Sequence, residues 1–214
     1  MENITPDKFS MPETEISKAE ILDIALSEFL KSGTQSFTIQ ELTDLTGISS
    51  KTVYKLFGDK MGLLKACLEK HYGEMMVDLR LLGEAATDEV EALFGLLNRV
   101  SQLEFEINPK FYSDLNKFYP QLQDDLKNTL RGIEQFFLDT IESGKQQGFF
   151  VSTINNEVSF IAMQHLYSGI TRGQIYRGLG LPNQKLIANT SMIYLRGMCS
   201  AKGLERLEQL NPTL

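Results

Sequence analysis

The chain has 214 residues, 42% of which are hydrophobic, and a formal net charge of -7 at pH 7. This composition suffices for one or two globular units with a hydrophobic core and excludes an intrinsically disordered chain. The acidic balance also excludes a protein that coats nucleic acid over its whole surface, so any nucleic-acid site must be local.

The N-terminal segment predicts a flexible arm followed by a first helix. Residues 1–16 contain two prolines and no apolar periodicity. Ser17 and Glu20 have the spacing of a capping box, and apolar residues then recur at steps of three and four as far as Phe29. Gly33 supplies the helix stop.

Three further helix starts follow at short intervals. Thr38 opens a second helix with the same Thr-x-x-Glu capping pattern, and this helix is predicted to end at Gly47. Ser49 caps a third helix, and Asp59 caps a fourth that runs to about Leu82.

The remaining two thirds of the chain predict longer helices and no strand, which makes the fold class all-α. A leucine-rich stripe from Leu122 to Ile141 marks one of these helices as amphipathic. The predicted helices cover residues 87–105, 109–118, 120–146, about 155–177 and 183–201, followed by a LERLEQL tail.

Residues 38–57 have the pattern of a helix-turn-helix unit. Ile39, Leu42, Ile48, Val53 and Phe57 are spaced to meet in one small core, and the glycine at the turn can adopt positive φ at little cost. This packing predicts that the second helix of the unit presents its polar residues to solvent.

The exposed residues of that helix suit DNA recognition. An α-helix fits the major groove, where its N-terminal hydroxyls and lysine can contact base edges, and Lys51 is the best candidate for a base contact. Backbone N–H groups at a helix N-terminus add to side-chain donors at phosphate oxygens. The candidate DNA-binding residues are Thr38, Ser49, Ser50, Lys51, Thr52, Tyr54, Lys55 and Lys60.

Local charge agrees with this interpretation but does not prove it. Residues 51–70 carry five lysines against Asp59 and Glu69, a balance of +3 inside an acidic protein. Lysines are also common on any solvated helical face, and that alternative stays open on charge alone.

At these positions the sequence resembles the TetR family of bacterial transcriptional regulators over about residues 17–66. The matching positions are Thr38, Leu42, Thr43, Thr46, Gly47, Ile48, Ser49, Lys51, Thr52, Val53, Tyr54, Phe57, Lys60 and Leu63. The resemblance implies that residues 17–66 bind DNA and that residues 67–214 form a helical domain for dimerisation and ligand binding. Ser50, Lys51 and Thr52 would then approach bases. Leu56 stands where many relatives have histidine, and Lys51 replaces a common glycine.

The last two long helices are candidates for a dimer interface made from two helices per subunit. Their apolar stripes include small residues that let helices approach closely. Packing only within the subunit is the alternative. The candidate interface residues are Val158, Ile161, Gly169, Thr190, Ile193, Tyr194 and Gly197.

A binding site for a small apolar or amphipathic effector is predicted in the C-terminal domain, from large apolar side chains and two phenols. Such residues equally well form an ordinary core. The candidates are Phe105, Phe111, Tyr112, Phe118, Phe136, Phe137, Met163 and Tyr167.

Enzyme, cofactor and metal sites are not indicated. Cys67 and Cys199 are far apart, with no CxxC pair, and the RGLGLP segment lacks the third glycine and preceding strand of a dinucleotide site. No leader-like or membrane-spanning apolar run occurs, so a cytoplasmic, nucleoid-associated location is expected. The first hypothesis is a homodimeric, effector-released repressor of a palindromic operator. The alternative is a helical ligand-binding or scaffolding protein with a vestigial helix-turn-helix.

Overall fold

The computed structural model describes residues 16–103, 107–171 and 176–210, and these residues form ten α-helices and one short 3-10 turn. The helices are α1 Lys18–Ser32, α2 Ile39–Thr46, α3 Ser50–Phe57, α4 Lys60–Ala85, α5 Glu89–Leu103, α6 Pro109–Phe118, α7 Pro120–Gln146, α8 Asn156–Thr171, α9 Asn183–Met198 and α10 Ala201–Leu210. The 3-10 turn spans Arg177–Leu179, between α8 and α9. The all-α prediction is confirmed.

The first four helices begin where their capping residues predict. Ser17 and Thr38 each accept a hydrogen bond from the backbone N–H three residues on, and both predicted capping boxes are complete. Ser49 and Asp59 cap α3 and α4 in the same way. Each cap pairs an N–H that would otherwise lack a partner, and so fixes the helix start.

A first core lies between α1, α2, α3, α6 and the N-terminal half of α4. Ala25, Phe29, Leu42 and Leu64 are fully buried in it. From α6, Phe111 joins the same cluster. The domain boundary predicted at residues 66 and 67 stays a prediction, because this core takes side chains from both sides of it.

A second core lies between the C-terminal half of α4 and α5, α7, α8, α9 and α10. Leu93, Ile141, Leu195 and Leu207 are fully buried there, and Phe150 joins them from the loop after α7. Because α4 contributes to both cores, a single continuous helix connects the N-terminal helices to the remainder of the chain.

The C-terminal segment differs from its prediction. The helix expected to extend to residue 201 ends at Met198, and a separate helix, α10, replaces the predicted tail. Between them, Cys199 adopts an extended conformation and forms an isolated antiparallel bridge with Phe150. The N–H of Ser200 donates to the carbonyl of Phe149 at 2.8 Å, so a pairing with a distant loop interrupts the helix.

The same loop packs against α10 at a position without a side chain. A Cβ atom at Gly203 would overlap the carbonyl oxygen of Phe149 and lie 3.1 Å from the Cβ of Cys199. We therefore expect Gly203→Ala to lower the free energy of unfolding by about 1–3 kcal/mol, because backbone atoms cannot move aside easily. Denaturant unfolding measures this loss.

Gly73→Ala is the matched control. Gly73 lies within α4, and a methyl group added there would meet nothing within 4 Å, so alanine is expected to stabilise the helix by up to ~1 kcal/mol. Equal stabilities for the Gly203→Ala and Gly73→Ala variants would contradict the close approach of α10 to residue 149.

Candidate nucleic-acid interface

The α2–α3 unit is fixed by short-range backbone contacts. Gly47 adopts the left-handed conformation at φ 73° and ψ -3°, and its N–H donates to the carbonyl of Thr43 at 2.9 Å. Two residues later, the hydroxyl of Ser49 accepts from the N–H of Thr52 at 3.1 Å. The turn therefore closes α2 and opens α3 within three residues.

The inward side of the unit matches the predicted small core. Leu42 and Val53 are buried, at 0% and 1% exposure, and Ile39, Ile48 and Phe57 are partly buried against the same cluster. This packing fixes the rotation of α3 about its own axis, because Val53 can enter the core from one side only.

The opposite side of α3 faces solvent. Lys51 and Lys55 lie one helical turn apart, and both are exposed, together with Thr52 and Tyr54. Ser50 is half-buried and Ser49 is exposed. Among the described residues, no carboxylate forms an ion pair with Lys51 or Lys55. Their positive charge therefore remains available to an anionic partner.

Two of the candidate phosphate-binding side chains, those of Thr38 and Lys60, already make polar contacts within the protein. The hydroxyl of Thr38 donates to the carboxylate of Glu41 at 2.9 Å while accepting from its backbone N–H. The ammonium of Lys60 lies 3.5 Å from the carbonyl of Gln35. Burial lowers the pKa of Lys60, and the nearby carboxylates of Glu41 and Asp114 oppose that shift. A phosphate contact by either residue requires the side chain or its proton to reorient.

The candidate effector residues are not gathered around one cavity. Phe111 and Tyr112 are buried in the first core, Phe137 is buried in the second, and Met163 packs against the second. Tyr167 packs on a small third cluster between α8 and α9. Phe118 is 44% exposed on α6, Phe136 lines a surface groove, and Phe105 lies outside the described residues.

Two open grooves occur on the C-terminal helices. One, of about 370 Å³, has both polar and apolar walls and lies between the end of α4, the start of α5 and α7, where Phe136 forms part of its wall. The other, of about 510 Å³, is apolar and is lined by His165, Gly169 and Tyr194 with three neighbours on α8 and after it. Neither encloses a ligand-sized volume away from solvent.

Two of the candidate dimer residues, Gly169 and Tyr194, line the apolar groove. Val158, Ile161 and Ile193 are 63%, 51% and 73% exposed, which is unusual for large aliphatic side chains. Gly197 is exposed, whereas Gly169 and Thr190 are half-buried. The hydroxyl of Tyr194 donates to the carbonyl of Ser159 at 2.9 Å, and so joins α9 to α8 within the subunit.

The described residues offer little material for covalent or metal chemistry. Within residues 16–103, 107–171 and 176–210, no three histidine, cysteine or acidic side chains are placed to hold a metal ion. Burial raises the pKa of Cys67 to about 12 and that of Cys199 to about 11, which keeps both thiols protonated and unreactive. No helix in the part of the chain that the structure describes is both long and apolar enough to cross a bilayer.

Comparison with known proteins agrees with this geometry. The family model described as "Bacterial regulatory proteins, tetR family" matches residues 21–67, which are α1 to α3 and the start of α4. Over these N-terminal helices the chain is therefore similar to TetR-family regulators. An HTH-type transcriptional regulator of Bacillus subtilis, YvkB, is 20% identical over 194 residues, covering 83% of this chain and 95% of the relative.

Two further transcriptional regulators extend the comparison. The transcriptional repressor KstR2 of Rhodococcus jostii is 24% identical over 154 residues, covering 67% of this chain and 72% of the relative. The structure of the regulator FadR from Bacillus subtilis in complex with stearoyl-CoA superposes with a TM-score of 0.68 at 12% identity. It covers 85% of this chain and 100% of that one. The fold therefore extends over the C-terminal helices as well as the TetR-type N-terminal domain.

One set of contacts at this TetR-type domain had no signal in the sequence. Helix α6 reaches the loop between α1 and α2, where the carboxylate of Asp114 accepts from the N–H of Gln35 at 3.1 Å. These residues are 79 positions apart, and neither belongs to a motif with a fixed partner spacing. Only a sequence alignment with correlated substitutions could have linked them.

The left-handed turn yields a test of the interface geometry. Gly47→Ala places a Cβ in a conformation unfavourable for L-residues by about 1–2 kcal/mol, although the space around it is open. We expect a corresponding loss of unfolding free energy by thermal or denaturant unfolding.

Gly47→Asn separates backbone strain from steric overlap. Asparagine is larger than alanine but tolerates the left-handed region, so this variant should be the more stable of the two. A Gly47→Asn variant less stable than Gly47→Ala would show that packing, and not φ, constrains the turn.

Proposed function

We propose that this chain is a TetR-family regulator: a homodimeric repressor that binds a palindromic operator and is released by an apolar or amphipathic effector. The observation that carries the proposal is the orientation of α3. Burial of Val53 on one side leaves Lys51 and Lys55 exposed on the other, without an ion-pair partner among the described residues. Binding to operator DNA would place the protein with the chromosome in the cytoplasm.

The exposed face of α3 is suited to the major groove. Lys51, Ser50 and Thr52 lie in its first turn, nearest to base edges, and Tyr54 and Lys55 lie where side chains contact phosphate oxygens. Ser49, Thr38 and Lys60 complete the proposed set at the helix starts. In a symmetric dimer, two such helices would occupy successive major grooves about 34–36 Å apart.

Exposed aliphatic side chains support a dimer through α8 and α9. Val158 and Ile161 on α8 and Ile193 on α9 form apolar surface that water contacts in the isolated subunit. Burying such a surface against a second copy is favourable by about 25 cal/mol per Å². Thr190 and Gly197 on α9 and Gly169 on α8 supply the smaller contacts of the proposed interface.

The proposed class of effector rests on the apolar character of the side chains in the C-terminal helices and on the ligand of a protein with the same fold. The FadR structure with stearoyl-CoA shows that a protein of this fold can hold a long acyl chain, and the C-terminal helices here carry many aromatic side chains. We propose a ligand of this apolar or amphipathic class, held by a subset of the candidate residues after the helices move apart. Reciprocity then requires operator DNA to weaken effector binding by the factor by which the effector weakens DNA binding.

One observation favours the alternative of a vestigial helix-turn-helix in a ligand-binding or scaffolding protein. Thr38 and Lys60 are both engaged within the protein, and Leu56 is 40% exposed on α3 where many relatives carry histidine. This reduces the number of phosphate contacts available without rearrangement. A salt titration of DNA binding distinguishes the two functions.

Under the proposed function, lysine variants should separate affinity from specificity. Log affinity for a duplex selected by the wild-type protein should fall with log salt at about 0.9 per phosphate contact. Lys55→Ala should weaken binding to all sequences and reduce the salt slope by ~1. Lys51→Ala should instead lower discrimination against a mismatched base by about 1–3 kcal/mol. Fluorescence anisotropy at several salt concentrations measures both.

Arg80→Ala is the control for a general loss of positive charge. Arg80 is an exposed cation on α4, outside the helix-turn-helix, so its removal should leave the slope unchanged. Equal, salt-insensitive behaviour of Lys51→Ala and Lys55→Ala would contradict the assigned roles. Failure of the wild-type protein to select any sequence would favour the vestigial alternative.

The dimer proposal predicts that one charge on α9 dissociates the subunits. Ile193→Glu should yield a folded monomer by sedimentation velocity and helical circular dichroism, because a carboxylate would be buried unpaired at the interface. Val77→Glu is the control, since Val77 is an exposed aliphatic residue on α4. If the dimer persists in Ile193→Glu but is lost in Val77→Glu, the interface lies on α4 and not on α9.

A further inference from the structure

The loop between α1 and α2 is held from outside the helix-turn-helix by α6 and the residue before it. We call residues 33–37, together with Lys110 and Asp114, the loop–α6 junction. The carboxylate of Asp114 accepts from the N–H of Gln35 at 3.1 Å, and the ammonium of Lys110 donates to the hydroxyl of Ser36 at 2.6 Å. The C-terminal end of α1 is tied as well, because Asn108 donates to the carbonyls of Leu30 and Lys31 at 2.8 and 3.0 Å.

The Asp114 contact is tightly fitted. Asp114 is 6% exposed, and a buried carboxylate is costly unless hydrogen bonds satisfy it. A Cβ on residue 33 would lie 2.8 Å from the Oδ2 of Asp114, and residue 33 has φ 85°. Glycine at position 33 therefore serves two purposes, since it permits the backbone conformation and leaves space for the carboxylate.

The loop in turn sets the position of the DNA-binding helices. The carbonyl of Gln35 faces the ammonium of Lys60 at the start of α4, so Gln35 connects α6 to α4. Phe37 packs edge-on against Phe29 of α1, with ring centroids 5.1 Å apart. The next residue, Thr38, caps α2. A displacement of Gln35 would therefore be passed to the first residue of the helix-turn-helix.

The remaining side of α6 contacts the C-terminal helices. The hydroxyl groups of Tyr112 on α6 and Tyr167 on α8 are 3.0 Å apart and share a hydrogen bond. Helix α6 thus touches α8 through one residue and the α1–α2 loop through another. Any movement of α8 that displaces Tyr167 acts on the helix that carries Asp114.

We propose that Asp114 is a positioning residue for DNA binding: by holding Gln35, it fixes the orientation of α2 and α3 relative to α4. Asp114 itself does not contact DNA. The inference rests on the proposed function for its effect on operator affinity, whereas the effect on the loop follows from the junction alone.

Thr34 is a second position in the junction, at which a substitution should have the opposite effect on the loop. Thr34 is fully buried beside the contact, and its hydroxyl has no hydrogen-bond partner among the described residues. An unpaired buried hydroxyl is destabilising, so a valine of similar shape should hold the loop more firmly in this conformation. Removing the acceptor at Asp114 and removing the orphaned hydroxyl at Thr34 should therefore change the loop in opposite directions.

The first experiment measures the loop in the full-length, DNA-free protein by hydrogen–deuterium exchange. Asp114→Ala should accelerate exchange in residues 33–38 by about tenfold or more, because a charge-assisted hydrogen bond is lost. Asp114→Asn retains a carbonyl acceptor and should restore part of the protection. Thr34→Val should slow exchange. Ser113→Ala, an exposed neighbour on α6 whose hydroxyl bonds within its own turn, should change nothing.

The second experiment measures affinity for a duplex selected from a random library by the wild-type protein. Asp114→Ala should weaken binding by about tenfold while leaving the salt slope unchanged, since no phosphate contact is removed. Thr34→Val should bind at least as tightly as wild type. If Asp114→Ala only destabilised the fold, it would lower the fraction of active protein and the unfolding temperature. It would not combine a weaker affinity with an unchanged salt slope, and Thr34→Val would not show the opposite effect.

The outcomes separate this proposal from the function it rests on. If wild type selects a duplex but Asp114→Ala and Asp114→Asn bind it unchanged, the positioning role is wrong and the regulator stands. Hydrogen–deuterium exchange in residues 33–38 that is unchanged in Asp114→Ala overturns the positioning role as well. If wild type selects no duplex, the proposed function and the positioning role both fail. Should Asp114→Ala not fold, Asp114→Asn and Thr34→Val still decide the question through exchange and affinity.

Discussion

The packing of Val53 in the same buried cluster as Leu42 is the contact on which the candidate interface depends. An eight-residue helix has little stability of its own, so tertiary packing must determine both its existence and its rotation. With Val53 at 1% exposure, the residues two positions before and after it point away from the core. The left-handed conformation of Gly47 allows the two helices to meet at that contact. The chemistry of the exposed face therefore follows from one apolar pair and one glycine.

Local features of the fold could be predicted because their partners lie close in sequence. The capping boxes at Ser17 and Thr38 join residues three positions apart, and helix geometry alone brings such residues together. The break after Met198 had no such signal. It arises because the chain at Cys199 pairs with Phe150, in a loop far away along the chain. Contacts of this kind depend on the whole topology.

Effector residues were difficult to predict for a different reason. An aromatic side chain at helical spacing has the same sequence pattern whether it lines a cavity or fills a core. The structure distributes Phe111, Phe137 and Tyr167 over three separate clusters, which the sequence could not distinguish. Relatives of 12–24% identity share the fold but give no residue-level correspondence for a pocket.

The position of α6 connects these observations. Phe111 and Leu115 anchor this helix in the same core as Leu42 and Val53, so α6 cannot shift without disturbing the packing under the helix-turn-helix. Tyr112 extends from the same helix to α8. Close-packed cores respond to such a shift by adopting another discrete arrangement, since they do not deform continuously. A ligand that parts α6 from α8 would then have a direct physical route to α3.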